Sequence, residues 1–229
     1  MLDQNQSQVE TWWPHQFGSE IHIRPLAAAD ADLIDAMHQR LSPQSIYYRY
    51  LQYRKPTLAE IAAVTQLDPA KGAGLVAVNP DAPTPIVGLA YYVRELHTPE
   101  PTAEAGILVE DLYQEQGIGR RLWQQLQLRA QTERIRWLRV LFHPSNQRML
   151  RLVRGCGLPY QVQVGDDLND YLVALDEQPN QAQANLATLP AGTVRSVQSK
   201  LKGQWRSIGD QLYRQWELAL QMPAEAVQG

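Results

Sequence analysis

Residues 114 to 119 read Gln-Glu-Gln-Gly-Ile-Gly. They follow the apolar run Ile107-Leu108-Val109 and open a helical stretch from Arg120. A strand, a glycine turn and a helix start, in that order, suit a diphosphate. Gly117 and Gly119 permit a tight turn and leave room for a ligand at the main chain. Unpaired amides at the helix start point at such a ligand, and the helix dipole favours its negative charge. Gln114, Gln116, Gly117, Ile118 and Gly119 thus form the candidate cradle. Arg120 and Arg121 extend it with guanidinium forks, or else lie on a solvated helix face. The spacing is Q-x-x-G-x-G. It is neither the dinucleotide pattern G-x-G-x-x-G nor a P-loop, since no G-K-[ST] follows.

Other groups of chemical interest lie nearby. Glu104 sits on the strand that leads to the turn. A strand glutamate is either solvated or, where its surroundings tune its pKa, a proton acceptor. Asn146 stands where a helix N-cap or a ligand contact is needed. Cys156 has no activating neighbour and reads as an inert thiol. His143 is isolated and shows no metal-ligand spacing, so no metal is expected. Tyr47, Tyr48 and Tyr50 alternate with Arg49 and read as a packed helix face or as an acceptor-site lining.

The elements that must hold these residues follow from pattern. Residues 21–25 and 104–109 read as strands, as do 75–78, 86–93 and 137–142. Residues 162–164 and 171–175 form a closing hairpin around Asp166-Asp167. Leu33, Ile34, Met37 and Leu41 give one helix over 28–41, which breaks at Ser42-Pro43 before a second running to about Arg54. Thr57 and Glu60 form a capping box for a third. Ile118, Leu122, Leu126 and Ala130 share one face of the helix after the glycine turn. A helix over 146–153 buries Met149, Leu150 and Val153 and ends at Gly155-Cys156-Gly157, where glycine suits a left-handed cap. Helices interleave with strands, which gives an α/β (α+β) fold with a mixed sheet.

The chain has 229 residues, with 44% hydrophobic and 20% charged. That supports one domain and a tail. A net charge of −3 gives no reason to expect nucleic acid. A single cysteine excludes an internal disulfide. No signal-peptide pattern and no membrane-length apolar run are visible, so the expected setting is cytoplasmic and membrane binding is not expected. Residues 1–19 read as an N-terminal arm carrying Trp12-Trp13. Residues 178–192 are a Gln/Ala-rich linker. Val194, Val197, Leu201, Trp205, Ile208, Leu212, Trp216 and Leu220 then stripe an extra C-terminal amphipathic helix over 193–222. Such a stripe calls for docking on the chain's own domain, self-association or a partner.

The run Val109 to Gly119 resembles the acyl-CoA-binding motif of the GNAT acetyltransferase superfamily. Phe142-His143-Pro144-Ser145-Asn146, with Gly157-Leu158, resembles that family's second motif. Ile23-Arg24-Pro25-Leu26 is similar to its opening strand. Arg40-Leu41-Ser42-Pro43-Gln44-Ser45, Tyr48-Arg49-Tyr50-Leu51, Val64-Thr65-Gln66-Leu67-Asp68 and Ala103-Glu104-Ala105 resemble bacterial Pat-type protein lysine acetyltransferases. The resemblance covers about residues 20–175, so the catalytic domain is taken as 20–177.

The resemblance implies a GNAT fold, a mainly antiparallel sheet flanked by helices, with acetyl-CoA as co-substrate and an amine as acceptor. It implies that Glu104 is the general base, directly or through a water. It implies that main-chain groups at Leu108 and Val109 pair with the pantetheine arm and stabilise the oxyanion, and that Asn146 contacts that arm. Glu115 departs from the common family form, which has glycine there. The tyrosine that many members use as acid for the thiolate is also absent, since that region reads Leu152-Val153-Arg154. Three functions follow: transfer to a protein lysine, transfer to a small amine, or a catalytically weak acyl-CoA-responsive interaction protein.

Overall fold

The computed structural model describes residues 11–14, 20–96, 98–165 and 168–175. The linker 178–192, the helix expected over 193–222, Asp166-Asp167 and most of the 1–19 arm lie outside the described residues. Eight strands form a single sheet in the order β1-β2-β3-β4-β5-β6-β8-β7. They are β1 (Thr11–Pro14), β2 (Glu20–Pro25), β3 (Gly72–Val78), β4 (Ile86–Arg94), β5 (Thr102–Val109), β6 (Trp137–Phe142), β7 (Tyr160–Val164) and β8 (Asn169–Ala174). The arm therefore contributes a strand, because Thr11–Pro14 pairs with β2. All neighbours are antiparallel except β5 and β6.

Side-chain alternation divides the core in two. On one face Ile21, Ile23, Ala77, Ala90, Tyr92, Ala103, Ala105, Val140 and Val173 are buried. They meet Ile118, Leu122, Trp123, Leu126 and Ala130 of α4 (Ile118–Thr132), and Met149 and Val153 of α5 (Gln147–Arg154). On the other face Val76, Leu89, Tyr91 and Leu108 are buried. There α1 (Ala31–Arg40) lies on β4, α2 (Pro43–Tyr50) lies on β5, and α3 (Leu58–Thr65) packs on α1. Ile34, Met37, Ile46, Ile61 and Val64 fill that layer. No described helix is long and apolar enough to cross a membrane.

The helix ends differ from the sequence reading for local reasons. Residues 28–41 do not form one helix. Asp30 folds back to accept a bond from Ala27 N (2.9 Å) and to pair with Arg24 at 2.6 and 2.7 Å. A short 3-10 turn over Ala28–Asp30 therefore precedes α1. The second helix stops at Tyr50 rather than near Arg54, because Leu51 adopts a left-handed conformation with φ of 55°. The Thr57–Glu60 capping box is present. After α5 the left-handed glycine is Gly157, with φ of 75°, and not Gly155.

Trp123 is 1% exposed at the centre of the larger core. Trp123→Ala should cost about 3–5 kcal/mol in urea denaturation. Leu128, on the same helix but 56% exposed, should change stability by about 0.5 kcal/mol or less when replaced by alanine.

Candidate active site

The parallel pair β5–β6 is joined only at Thr102–Trp137, Ala103–Leu138 and Glu104–Arg139. Beyond that point the strands part. β5 continues to Val109 beside β4, while β6 continues to Phe142 beside β8. Among the described residues, β5 from Ala105 to Val109 has no strand on its β6 side. A buried strand edge must find hydrogen-bond partners, and an extended amide-bearing ligand is one group that can supply them. Val109 turns its main chain to the open side, but the Leu108 main chain faces Leu89 of β4, so the contact expected at Leu108 is corrected: strand alternation gives the open edge to Ile107 and Val109. Glu104 belongs to the last pair before the fork.

Glu104 is half-buried. Five charged or phenolic side chains surround it: Arg49 from α2, Tyr91 from β4, Glu95 just after β4, Arg139 from β6 and Asp170 from β8. Burial pushes its carboxyl up to about 7. Arg49 and Arg139 pull it down, and Glu95 and Asp170 push it up. A base that titrates near neutrality has its proton affinity matched to its work. Burial also raises Asp170, to about 6, against the pull of Arg139.

Arg49 comes to β5 through a notch. Its guanidinium lies 5.0 Å from the Tyr91 ring centre and 5.1 Å from that of Tyr50, and it donates to the Tyr91 hydroxyl. A Cβ on Gly106 would collide with it, so a larger residue there would push the guanidinium from its place on β5. Tyr50 in turn donates to His38 Nε2 (2.6 Å), whose Nδ1 faces the Ile34 carbonyl (2.7 Å). Burial lowers the His38 pKa, which keeps the ring neutral in this chain of bonds.

The first two helices are locked to the segment after β5. Arg40 grips the buried Glu110 with two bonds, 2.9 and 2.7 Å. Asp111 accepts from the Ser42 amide (2.9 Å), the Ser42 hydroxyl (2.8 Å) and the Ser45 hydroxyl (2.7 Å). Burial raises the Asp111 carboxyl, but these bonds outweigh it and leave it lowered. Gln114 turns inward and donates to the Val109 carbonyl (2.9 Å) and Ser45 Oγ (3.2 Å). It ties the turn to the strand end. Arg40, Arg49, Glu110, Asp111 and Arg139 are site residues that spacing alone did not single out. Several sat in recognisable blocks, but their partners are 42 to 70 residues away.

The turn presents main chain. Gly117 has φ of 86° and nothing within 4 Å of a built Cβ. It is the N-cap of α4 and makes no side-chain cap bond. The first intrahelical bond is Arg121 N to Gly117 O (3.0 Å), so the amides of Ile118, Gly119 and Arg120 precede it. A Cβ on Gly119 would meet only Val109 Cγ2, at 3.6 Å. Packing within the protein thus gives no reason for glycine at 119. Gln116 donates to the Leu112 carbonyl (2.8 Å), and its buried Oε1 has no partner. Arg120 and Arg121 are exposed.

Glu115 adopts φ of 61°, which explains the fitness of glycine at this place. Its carboxylate reaches α5, at 3.1 Å from Arg148 and 3.6 Å from Arg151. Asn146 caps α5 through Oδ1, which accepts from Met149 N (3.1 Å). The position lacking a tyrosine is filled by Val153, fully buried, and by Arg154, which donates to Tyr171. A cleft of about 500 Å³ separates α2 from the β6–α5 loop and is lined by Tyr47, Tyr48, Tyr53, His143 and Ser145. The Tyr48 hydroxyl spans it to Ser145 Oγ (3.2 Å), which bonds His143 Nδ1 (2.7 Å). Cys156 donates to the Val153 carbonyl (2.9 Å). Among the described residues no group of three or more His, Cys, Asp or Glu is arranged to hold a metal ion.

The raised Glu104 pKa makes a prediction about stability. An unfolded glutamate titrates near ~4.3, and the folded one near 7. Between these values the folded state holds more protons, so this group's contribution weakens as pH rises through the interval. Glu104→Gln lacks that term. Its stability relative to wild type should rise from about pH 5 to about pH 8 in urea titrations; a difference independent of pH would contradict the assignment.

The profile of the acetyltransferase (GNAT) family matches residues 34–158, which span the fork, the glycine turn and Asn146. Among solved structures, the GNAT domain of Streptomyces lividans PAT is similar at 21% identity, with a TM-score of 0.62 over 71% of this chain and 95% of that one. The diaminobutyrate acetyltransferase EctA from Paenibacillus lautus, in complex with its substrate and coenzyme A, is 17% identical, with a TM-score of 0.56 over 70% and 98%. The putative acetyltransferase yncA from Salmonella typhimurium, with acetyl-CoA, is 18% identical, with a TM-score of 0.55 over 69% and 95%. These likenesses are likenesses of fold. The chain belongs to the GNAT family of acetyltransferases.

Proposed function

We propose that this protein transfers the acetyl group of acetyl-CoA to a primary amine, with Glu104 as base. The observation that carries the reading is the placement of a carboxyl with pKa near 7 at the crotch of a strand fork. The amides of Ile118, Gly119 and Arg120 hold the pyrophosphate, with the Arg120 and Arg121 side chains contributing positive charge near its outer oxygens. The pantetheine arm lies along the open edge of β5 at the main chain of Ile107 and Val109, and the Asn146 amide serves its far side. Gln114 fixes the turn.

Attack requires a neutral amine, and a lysine ammonium has a pKa near ~10.4. Glu104 takes that proton, directly or through one water. The nitrogen then forms its bond to the carbonyl carbon, and the carbon–sulfur bond breaks. A thiolate is a fair leaving group, so the lack of a tyrosine on α5 is tolerated.

The engagement of Glu115 with Arg148 and Arg151 supports an intact donor site, because its charge is balanced away from the turn. This favours an enzyme over a weak acyl-CoA-responsive interaction protein. A protein lysine acceptor fits the Pat-like blocks; a small amine is the second reading. Acetyl-CoA turnover screened against free amines and a mixed protein pool decides between them.

Gly119→Ala should fold with little loss, since its Cβ meets ordinary van der Waals distance, yet bind CoA at least about tenfold more weakly. Calorimetry on that variant and on Gly117→Val checks this, and unchanged affinity in both removes the pyrophosphate assignment. Glu104→Gln should lower kcat by about a hundredfold or more with CoA affinity nearly unchanged. Wild-type turnover in that variant between about pH 6 and 9 would require another base.

A further inference from the structure

Arg139 is the register partner of Glu104 at the last β5–β6 pair, yet its ion pairs go elsewhere. Its terminal NH1 donates to both oxygens of Glu95, at 2.8 Å each. Its Nε stands 3.5 Å from Asp170 Oδ1. Neither of those two atoms has a hydrogen-bond partner. The three side chains are only 26%, 17% and 10% exposed. Among the described residues Glu104 makes no ion pair of its own.

This arrangement solves a specific problem. A guanidinium bonded directly to Glu104 would occupy the lone pairs that must receive the amine's proton, and would make the carboxylate a poor base. With no guanidinium on the β6 side, Glu95, Glu104 and Asp170 would leave three carboxyl groups together, and such groups hold their protons. A tether gives a third state: a positive charge beside the base that takes none of its lone pairs. Arg49 and Tyr91 approach Glu104 from α2 and β4, and Arg139 is the cation on the β6 side.

We propose that Arg139, held off by Glu95 and Asp170, is a positioning residue that fixes the charge state in which Glu104 meets the acceptor amine. The proposal rests on the reading of Glu104 as base. Its chemistry has a definite sign. The base acts as a carboxylate, so activity falls as pH drops through its pKa. Removing Arg139's charge stabilises the protonated form of Glu104 and shifts that fall to higher pH. Removing the charge of Glu95 or Asp170 shifts it lower.

The test is the pH dependence of kcat/KM in the full chain, with acetyl-CoA and whichever amine supports turnover. Arg139→Gln should move the acid limb up by roughly one pH unit, with kcat recovered at high pH. Arg139→Lys should restore the limb to near its wild-type place. Glu95→Gln and Asp170→Asn should each move it down, which keeps the test open if Arg139→Gln does not fold. Carbon-13 NMR of glutamate-labelled protein, with no substrate present, should show the same shifts in the Glu104 carboxyl. If limbs and resonances coincide with wild type in all these variants, Arg139 is structural and the inference fails. If Glu104→Gln itself keeps full turnover, the base reading falls first. If Glu104→Gln loses turnover but the limbs stay in place, only this inference falls.

Discussion

The site depends on two parallel strands that stop being neighbours after three residue pairs. A sheet edge inside a protein is costly to leave unpaired, because its amides and carbonyls have no water to turn to. The fork between β5 and β6 creates such an edge over Ala105–Val109, the edge proposed to take the donor. The glycine turn and the N-terminus of α4 begin where β5 ends, at the wide mouth. Glu104 sits at the narrow end. The distance between them is set by strand rise, so one element fixes the spacing of the glycine turn and Glu104.

A fork of this kind would close or fray without support from both layers. On one face α4 packs Ile118, Leu122 and Leu126 into the larger core, which holds the helix dipole at the mouth. On the other, α1 and α2 are pinned by Arg40 on Glu110 and by Ser42 and Ser45 on Asp111. The buried Glu110 cannot lose its arginine cheaply, since an unpaired charge would remain inside. Arg49 completes the contact by filling the space that Gly106 leaves open. The same guanidinium feels Glu104, so the packing that holds α2 also bears on the proposed base.

Much of this was legible in the residues. Strand positions followed from apolar runs; Trp137–Phe142 emerges with the bounds the sequence reading assigned. The Thr57–Glu60 box and the α4 face were readable because both are local patterns. What stayed hidden was long-range. No spacing rule links Arg40 to Glu110, or places Arg139 and Asp170 around Glu104, because those meetings are decided by strand order. His38 reads as polar, yet it is 1% exposed on the inner face of α1. Leu51 in a left-handed conformation defied its residue type, and so shortened α2. Glu115 shows the reverse: the sequence flagged it as odd, and its positive φ and its arginine partners explain how it is accommodated.

The central claim is that the open edge of β5 receives the acyl donor. Amide hydrogen exchange with and without coenzyme A reads that edge directly. Binding should slow exchange at Ile107 and Val109, whose amides face the open side, and at the first amides of α4, while β2, three strands away from β5, stays unchanged. Slowed exchange elsewhere, with β5 and the start of α4 unaffected, would show that the donor does not enter the fork and would contradict this account.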